Sequence, residues 1–63
     1  MFDEYIYIVK VYENDEPYKY EYGNLKHAVD HCKMEFYKGN KVILFRLKDD
    51  ILERYNGRTN TWG

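Results

Sequence analysis

One segment with helical periodicity lies between two pairs of segments with strand periodicity. This order limits the possible folds more than any other feature of the sequence. Residues 5–12 (YIYIVKVY) are dense in β-branched and aromatic side chains, and residues 18–22 (YKYEY) alternate strictly between tyrosine and charge. The intervening residues 13–17 (ENDEP) have the composition of a turn. The first two segments therefore predict a hairpin.

The register of this hairpin follows from how it separates polar from apolar side chains. A turn of even length puts Val9 and Val11 on one face with the tyrosines of the second strand. The opposite face then carries Ile6 and Ile8 with Lys10, Lys19 and Glu21. A slip by one residue would mix the two sets, so we expect the first register.

The middle of the chain has the pattern of an amphipathic helix. Leu25, Ala28, Val29, Cys32 and Phe36 recur at helical spacing. The preceding asparagine is suited to an N-cap and the glycine at position 39 to a left-handed C-terminal residue. The pattern predicts a helix over residues 25–38.

Two further strands follow the helix. Residues 41–48 (KVILFRLK) and 51–55 (ILERY) are joined by Asp49-Asp50, and a two-residue turn places Leu47 opposite Leu52 and Arg46 opposite Glu53. The dipeptide at 56–57, Asn-Gly, is typical of a type I′ turn and predicts a short fifth strand over residues 58–62, with Trp62 opposite Ile51. A frayed tail is the alternative.

These elements predict a single α+β domain over residues 1–63. We expect the order ββαββ, with a four-stranded antiparallel sheet in the spatial order 2-1-3-4 and the helix on one face. This order makes every neighbour antiparallel, places the two most apolar strands centrally and puts the charged strands at the edges.

The bare sheet face predicts self-association. A four-stranded sheet is about 19 Å wide and a helix about 10 Å, so one helix leaves the opposite face uncovered. We expect Ile43, Phe45, Leu47 and Leu52 beneath the helix. The outward-facing residues, and hence the interface of a homodimer or of a docked partner, are expected to be Ile6, Ile8, Val42, Leu44, Ile51 and Tyr55. The alternative is a monomer in which long side chains cover this face.

No set of residues indicates catalysis, a metal or another cofactor. His27 and His31 share a helix face, but Cys32 points about 100° away, so we expect two solvated histidines and a buried core thiol. Asp49 and Asp50 are explained by turn chemistry. The sequence predicts a non-enzyme.

Composition and charge limit the compartment and the partner. The single cysteine excludes an internal disulfide, and no apolar run is long enough to span a membrane, which predicts a cytoplasmic protein. Residues 1–24 carry six acids and two lysines, whereas residues 25–63 carry eight bases and five acids. The tyrosines and acids of the first hairpin are the expected partner-binding residues: Glu13, Asp15, Glu16, Tyr18, Tyr20 and Glu21.

A nucleic-acid surface is the main alternative. The basic residues of the later half lie near two tyrosines and could track phosphates while the rings stack on bases. Acids are interspersed with them, and the isoelectric point is near 6.1 rather than strongly basic. The residues concerned are Lys33, Lys38, Lys41, Arg46, Lys48, Arg54 and Arg58, with Tyr37 and Tyr55.

The chain resembles the small uncharacterised phage and prophage proteins of low-GC bacteria. The resemblance is carried by the tyrosine-rich hairpin YIYIVKVYENDEPYKYEY, the helix NLKHAVDHCKMEFYKG and the strand pair VILFRLKDDILERYNG, and by residues with AT-rich codons. It implies a protein that binds and inhibits a host factor, including a defence or nucleic-acid-processing factor. A small-ligand sponge formed between subunits is a third interpretation.

Overall fold

A computed structural model describes residues 4–63, which form one helix and one antiparallel sheet of five strands. The strands are β1 (Ile6–Glu13), β2 (Glu16–Tyr22), β3 (Lys41–Lys48), β4 (Ile51–Asn56) and β5 (Thr61–Trp62), and the helix is α1 (Leu25–Tyr37). Their spatial order is β2-β1-β3-β4-β5. The predicted α+β class, the order 2-1-3-4 and the short fifth strand are confirmed.

The first hairpin has the predicted register with a tighter turn. Asn14 and Asp15 alone form the turn, and both have positive φ, at 51° and 65°. Left-handed backbone at both central residues is the property of a type I′ turn, which asparagine and aspartate tolerate. Val9 lies opposite Tyr20 and Val11 opposite Tyr18, as expected.

The helix begins and ends almost where the sequence predicts. The Asn24 side chain accepts a hydrogen bond from the Lys26 backbone N–H at 2.8 Å, which satisfies one of the free donors of the first turn. At the other end Gly39 has φ of 88°, a left-handed conformation that terminates the helix without a Cβ clash.

The fifth strand is present, but the pairing predicted for it was wrong. Tyr55 pairs with Trp62 and Asn56 with Thr61, so residues 57–60 form the connection. Asn56 belongs to β4 and its side chain accepts a hydrogen bond from the Arg58 N–H at 3.0 Å. A four-residue loop therefore replaces the two-residue turn, and Trp62 does not face Ile51.

The second hairpin presents the opposite face to the helix from the one predicted. Its own register is correct, because Leu47 pairs with Leu52 and Arg46 with Glu53. However, β1 pairs with β3 so that Val9 lies opposite Leu44, and these two side chains therefore share a face. The core contains Val9, Val11, Ala28 and Leu44, with Val42 and Tyr55 packed against it.

The predicted dimer interface must be corrected accordingly. Val42, Leu44 and Tyr55 lie on the helix side, as does Ile51 by alternation along β4, whereas Ile6 and Ile8 face outward as expected. The outward residues of the second hairpin are instead Ile43, Phe45, Leu47 and Leu52. The contact between β1 and β3 decides this, because a shift by one residue reverses every side chain of β3 and β4.

Candidate binding surfaces

The sheet face opposite the helix, here called the outer face, is largely apolar at one end. Ile6 and Ile8 from β1 lie directly opposite Leu47 and Phe45 from β3, and Leu52 of β4 lies beside Leu47. Ile6 is 43% exposed and Leu52 is 56% exposed. A contiguous exposed apolar patch of this kind usually marks a surface that binds another molecule.

The other end of the outer face is basic. Lys10 lies directly opposite Lys19, a like-charge pair that disfavours the sheet by itself. The ammonium groups of Lys10 and Lys41 lie 5.3 and 5.6 Å from the ring centroid of Tyr12, which relieves part of this repulsion through cation–π attraction.

The predicted partner-binding residues of the first hairpin do not share one face. Tyr18 and Tyr20 lie on the helix side of the edge strand β2, and each is 42% exposed. Glu13 and Glu16 are paired at the end of the same face, and Asp15 lies in the turn. The surface formed by Glu13, Asp15, Glu16, Tyr18 and Tyr20 is called the tyrosine edge below. Glu21 points to the outer face.

One hydrogen bond organises the tyrosine edge. The Tyr18 hydroxyl donates to Glu16 Oε2 at 3.0 Å. This hydrogen bond to the carboxylate, together with some burial and the neighbouring charge of Glu13, raises the pKa of Tyr18. The phenol is neutral near pH 7 with or without this shift, because the ordinary pKa of tyrosine is about 10.

His31 is not solvated, contrary to the prediction, whereas His27 is exposed. The His31 side chain is only 11% exposed, its Nδ1 lies 2.6 Å from the Tyr22 hydroxyl, and its Nε2 lies 3.6 Å from Glu35 Oε1. The Tyr22 hydroxyl and His31 Nδ1 share a hydrogen bond, and the longer contact from Nε2 continues to Glu35 on the same helix. This chain of polar groups attaches the helix to β2.

Glu35 occupies the buried position that an apolar residue would be expected to take. It is 8% exposed, and its Oε2 accepts a hydrogen bond from the Asn40 amide at 2.8 Å, while Lys38 Nζ lies 3.4 Å from Oε1. The Asn40 hydrogen bond is the largest cause of a lowered Glu35 pKa; burial opposes it, and Lys38 and His31 add to it. The buried polar group is thus well satisfied.

The lowered Glu35 pKa predicts sensitivity to acid. A carboxyl group whose pKa is lower in the folded state stabilises the fold above its unfolded pKa of about 4.3, and this contribution is lost as pH falls through the folded value. We expect Glu35→Gln to lower the melting temperature near pH 7 and to flatten its decline between about pH 5 and pH 3. Thermal unfolding followed by circular dichroism over this range measures both effects. Asp30→Asn, exposed on the same helix, controls for net charge, and a Glu35→Gln curve parallel to wild type would contradict the role of the carboxylate.

An open groove of about 520 Å³ runs between the end of the helix and β3–β4. Val29, Cys32, Val42, Leu44 and Tyr55 contribute to its lining, together with the charged residue Lys33. Cys32 is partly buried rather than fully buried as predicted, and this burial raises its thiol pKa. Such a thiol is a poor nucleophile near neutral pH.

Phe36 forms part of this groove instead of the core. It is 72% exposed, and its neighbour Tyr37 is 83% exposed. Ala28 and Glu35 define the buried line of the helix, and Phe36 lies about 100° further around the axis. The exposure is therefore a consequence of Glu35 pointing into the protein.

The basic residues proposed for a nucleic-acid surface are dispersed. Arg46 Nε donates to Glu53 Oε1 at 2.9 Å on the helix side, which raises the Arg46 pKa. Lys38 contacts Glu35, and Lys33 lines the groove. Lys41 and Arg54 alternate to the outer face. The structure does not bring the seven residues into one surface.

Neither a metal site nor a membrane-spanning helix is found in residues 4–63. No group of three histidine, cysteine, aspartate or glutamate side chains in this part of the chain could hold a metal ion. In the same residues, no helix has the length and apolar character needed to cross a membrane. Asp49 and Asp50 form a left-handed two-residue turn, with φ of 51° and 63°, as their turn chemistry predicts.

Comparison of the chain with protein-family models, with curated proteins and with solved structures gave no match.

Proposed function

We propose that the protein is a small non-enzymatic binding protein that occludes a surface of a host protein. The tyrosine edge is the observation that supports this proposal. Its two tyrosines are each 42% exposed, and acidic side chains adjoin them. Tyrosine offers a large contact area with few torsions to immobilise, and such residues are enriched in binding sites.

The charge of this surface favours a basic partner. Glu13, Asp15 and Glu16 lie together at one end of the hairpin, and the strand that carries the tyrosines is the edge of the sheet. Acids flanking aromatic rings can approach the basic, nucleic-acid-facing surface of a host protein, and electrostatic attraction speeds that encounter. The high content of amino acids with AT-rich codons and the resemblance to small phage proteins make a bacterial host factor the expected target.

The proposal is tested by affinity capture from a low-GC bacterial lysate, followed by mass spectrometry. We expect one reproducible protein with wild type and with Tyr37→Ala, which removes an 83% exposed tyrosine elsewhere. Tyr18→Ala is expected to lose it, with at least about tenfold weaker binding when the captured protein is purified and titrated. Equal capture by both variants would place the interface elsewhere and contradict this assignment.

A titration with labelled single-stranded DNA and RNA distinguishes the nucleic-acid alternative. A protein that binds a basic protein surface is expected to show no nucleic-acid affinity near physiological salt. Tight binding that weakens steeply as salt rises would indicate phosphate contacts and would count against the proposal.

A further inference from the structure

The outer face has a charge pattern that is complementary to itself, and we propose that two copies of the chain pair through it. One line across the sheet carries Glu21, Ile8, Phe45 and Arg54, on β2, β1, β3 and β4 in that spatial order. An acid therefore stands at one end of the line, a base at the other and two apolar side chains between them.

A two-fold axis parallel to the strands, passing between β1 and β3, matches this line with itself. Across this axis, β1 of one copy faces β3 of the other, and β2 of one copy faces β4 of the other. Glu21 then lies opposite the partner's Arg54, and Ile8 lies opposite the partner's Phe45. In the next line toward the apolar end, Ile6 lies opposite the partner's Leu47.

The basic end of the face is accommodated by the same axis. Lys10 lies opposite the partner's Ile43, on which its aliphatic stem can pack. Tyr12 lies opposite the partner's Lys41, an aromatic ring facing a cation. Directly across the axis, Lys10 and Lys41 therefore each lie opposite an uncharged side chain, although the face as a whole is basic.

Sheet packing and stability favour this arrangement. Two sheets that pack face to face lie about 10 Å apart with strands within about 30° of each other, so glutamate and arginine side chains can meet between them. A domain of this size buries only about 60% of its unfolded surface, and burial of the outer face adds apolar area that the single helix cannot supply. This self-association is independent of the host-protein binding proposed above.

Charge reversal tests the pairing in the full chain. Light scattering from about 5 to about 200 µM is expected to give twice the chain mass of 7.8 kDa for wild type. Glu21→Arg and Arg54→Glu each place like charges opposite one another, and we expect either change to weaken association at least about tenfold. The double variant recreates the pair with reversed signs and is expected to restore the dimer.

Three results would overturn the proposal: a wild-type monomer at about 200 µM, single variants that associate as well as wild type, or a double variant no better than the single ones. Both changed side chains are exposed, so the fold is expected to be kept, which circular dichroism verifies. Ile6→Lys, at a 43% exposed position, gives a second test because it places a charge in the apolar half of the interface. Asp30→Arg on the helix is the matched control and is expected to leave the dimer intact.

Discussion

Leu44→Lys is expected to unfold the protein. Leu44 is 8% exposed and belongs to the core with Val9 and Ala28. Truncating a buried leucine alone costs about 2–5 kcal/mol, and an ammonium group without a partner costs more. A single core of this size supplies only about 3–5 kcal/mol, so no folded population should remain. Far-UV circular dichroism and urea titration measure the loss.

Leu47→Lys is the matched control, three residues further along the same strand. Leu47 lies on the outer face, where a lysine can extend its charged end into water. We expect this variant to keep the native spectrum and a cooperative transition, and to lose self-association. The reverse outcome, a folded Leu44→Lys variant and an unfolded Leu47→Lys variant, would show that the second hairpin presents its other face to the helix.

Trp62→Ala is expected to lower the free energy of unfolding by about 2 kcal/mol, somewhat less than the ~3–5 kcal/mol of a fully buried aromatic residue. The indole lies 5.2 Å from the Tyr55 ring and 6.3 Å from the Tyr7 ring, measured between centroids. The Arg46 guanidinium lies 4.6 Å from the indole centroid and is held there by Glu53. Removal of the indole takes a contact from the Tyr7 ring, the Tyr55 ring and the Arg46 guanidinium, and it weakens the attachment of β5.

Phe36→Ala is the control for this measurement. The Phe36 ring is 72% exposed, and we expect a change within about 0.5 kcal/mol, as for other surface substitutions. Equilibrium denaturation with urea at matched protein concentration compares the two variants. A larger loss for Phe36→Ala than for Trp62→Ala would mean that Phe36 is buried and that β5 contributes little.

The sequence alone was sufficient for the local elements and for the pairings of β1 with β2 and of β3 with β4, although not for that of β4 with β5. Strict alternation in β2 sets its register against β1, and Asp49-Asp50 sets the pairing of Arg46 with Glu53. Asn24 and Gly39 bound the helix through backbone chemistry that depends on one residue each. All of these features are determined by neighbours along the chain.

The candidate surfaces depended on contacts that local patterns do not contain. Both faces of β3 are apolar, so its sequence allows Leu44 or Phe45 to face the helix, and only the pairing with β1 chooses Leu44. The helix pattern likewise favours Phe36 as a core residue. It is displaced because Asn40, beyond the end of the helix, supplies the hydrogen bond that lets Glu35 be buried.

The tyrosine edge and the outer face illustrate the same division. Tyrosine content and acidic charge identified the first hairpin as a binding surface, but alternation across β2 separates Glu21 from Tyr18 and Tyr20. The line from Glu21 to Arg54 joins residues 33 positions apart, through three strand pairings formed only in the folded chain. Local sequence sets each element because backbone preferences are short-range, whereas the faces are decided by long-range pairing, in which one residue of offset reverses every side chain.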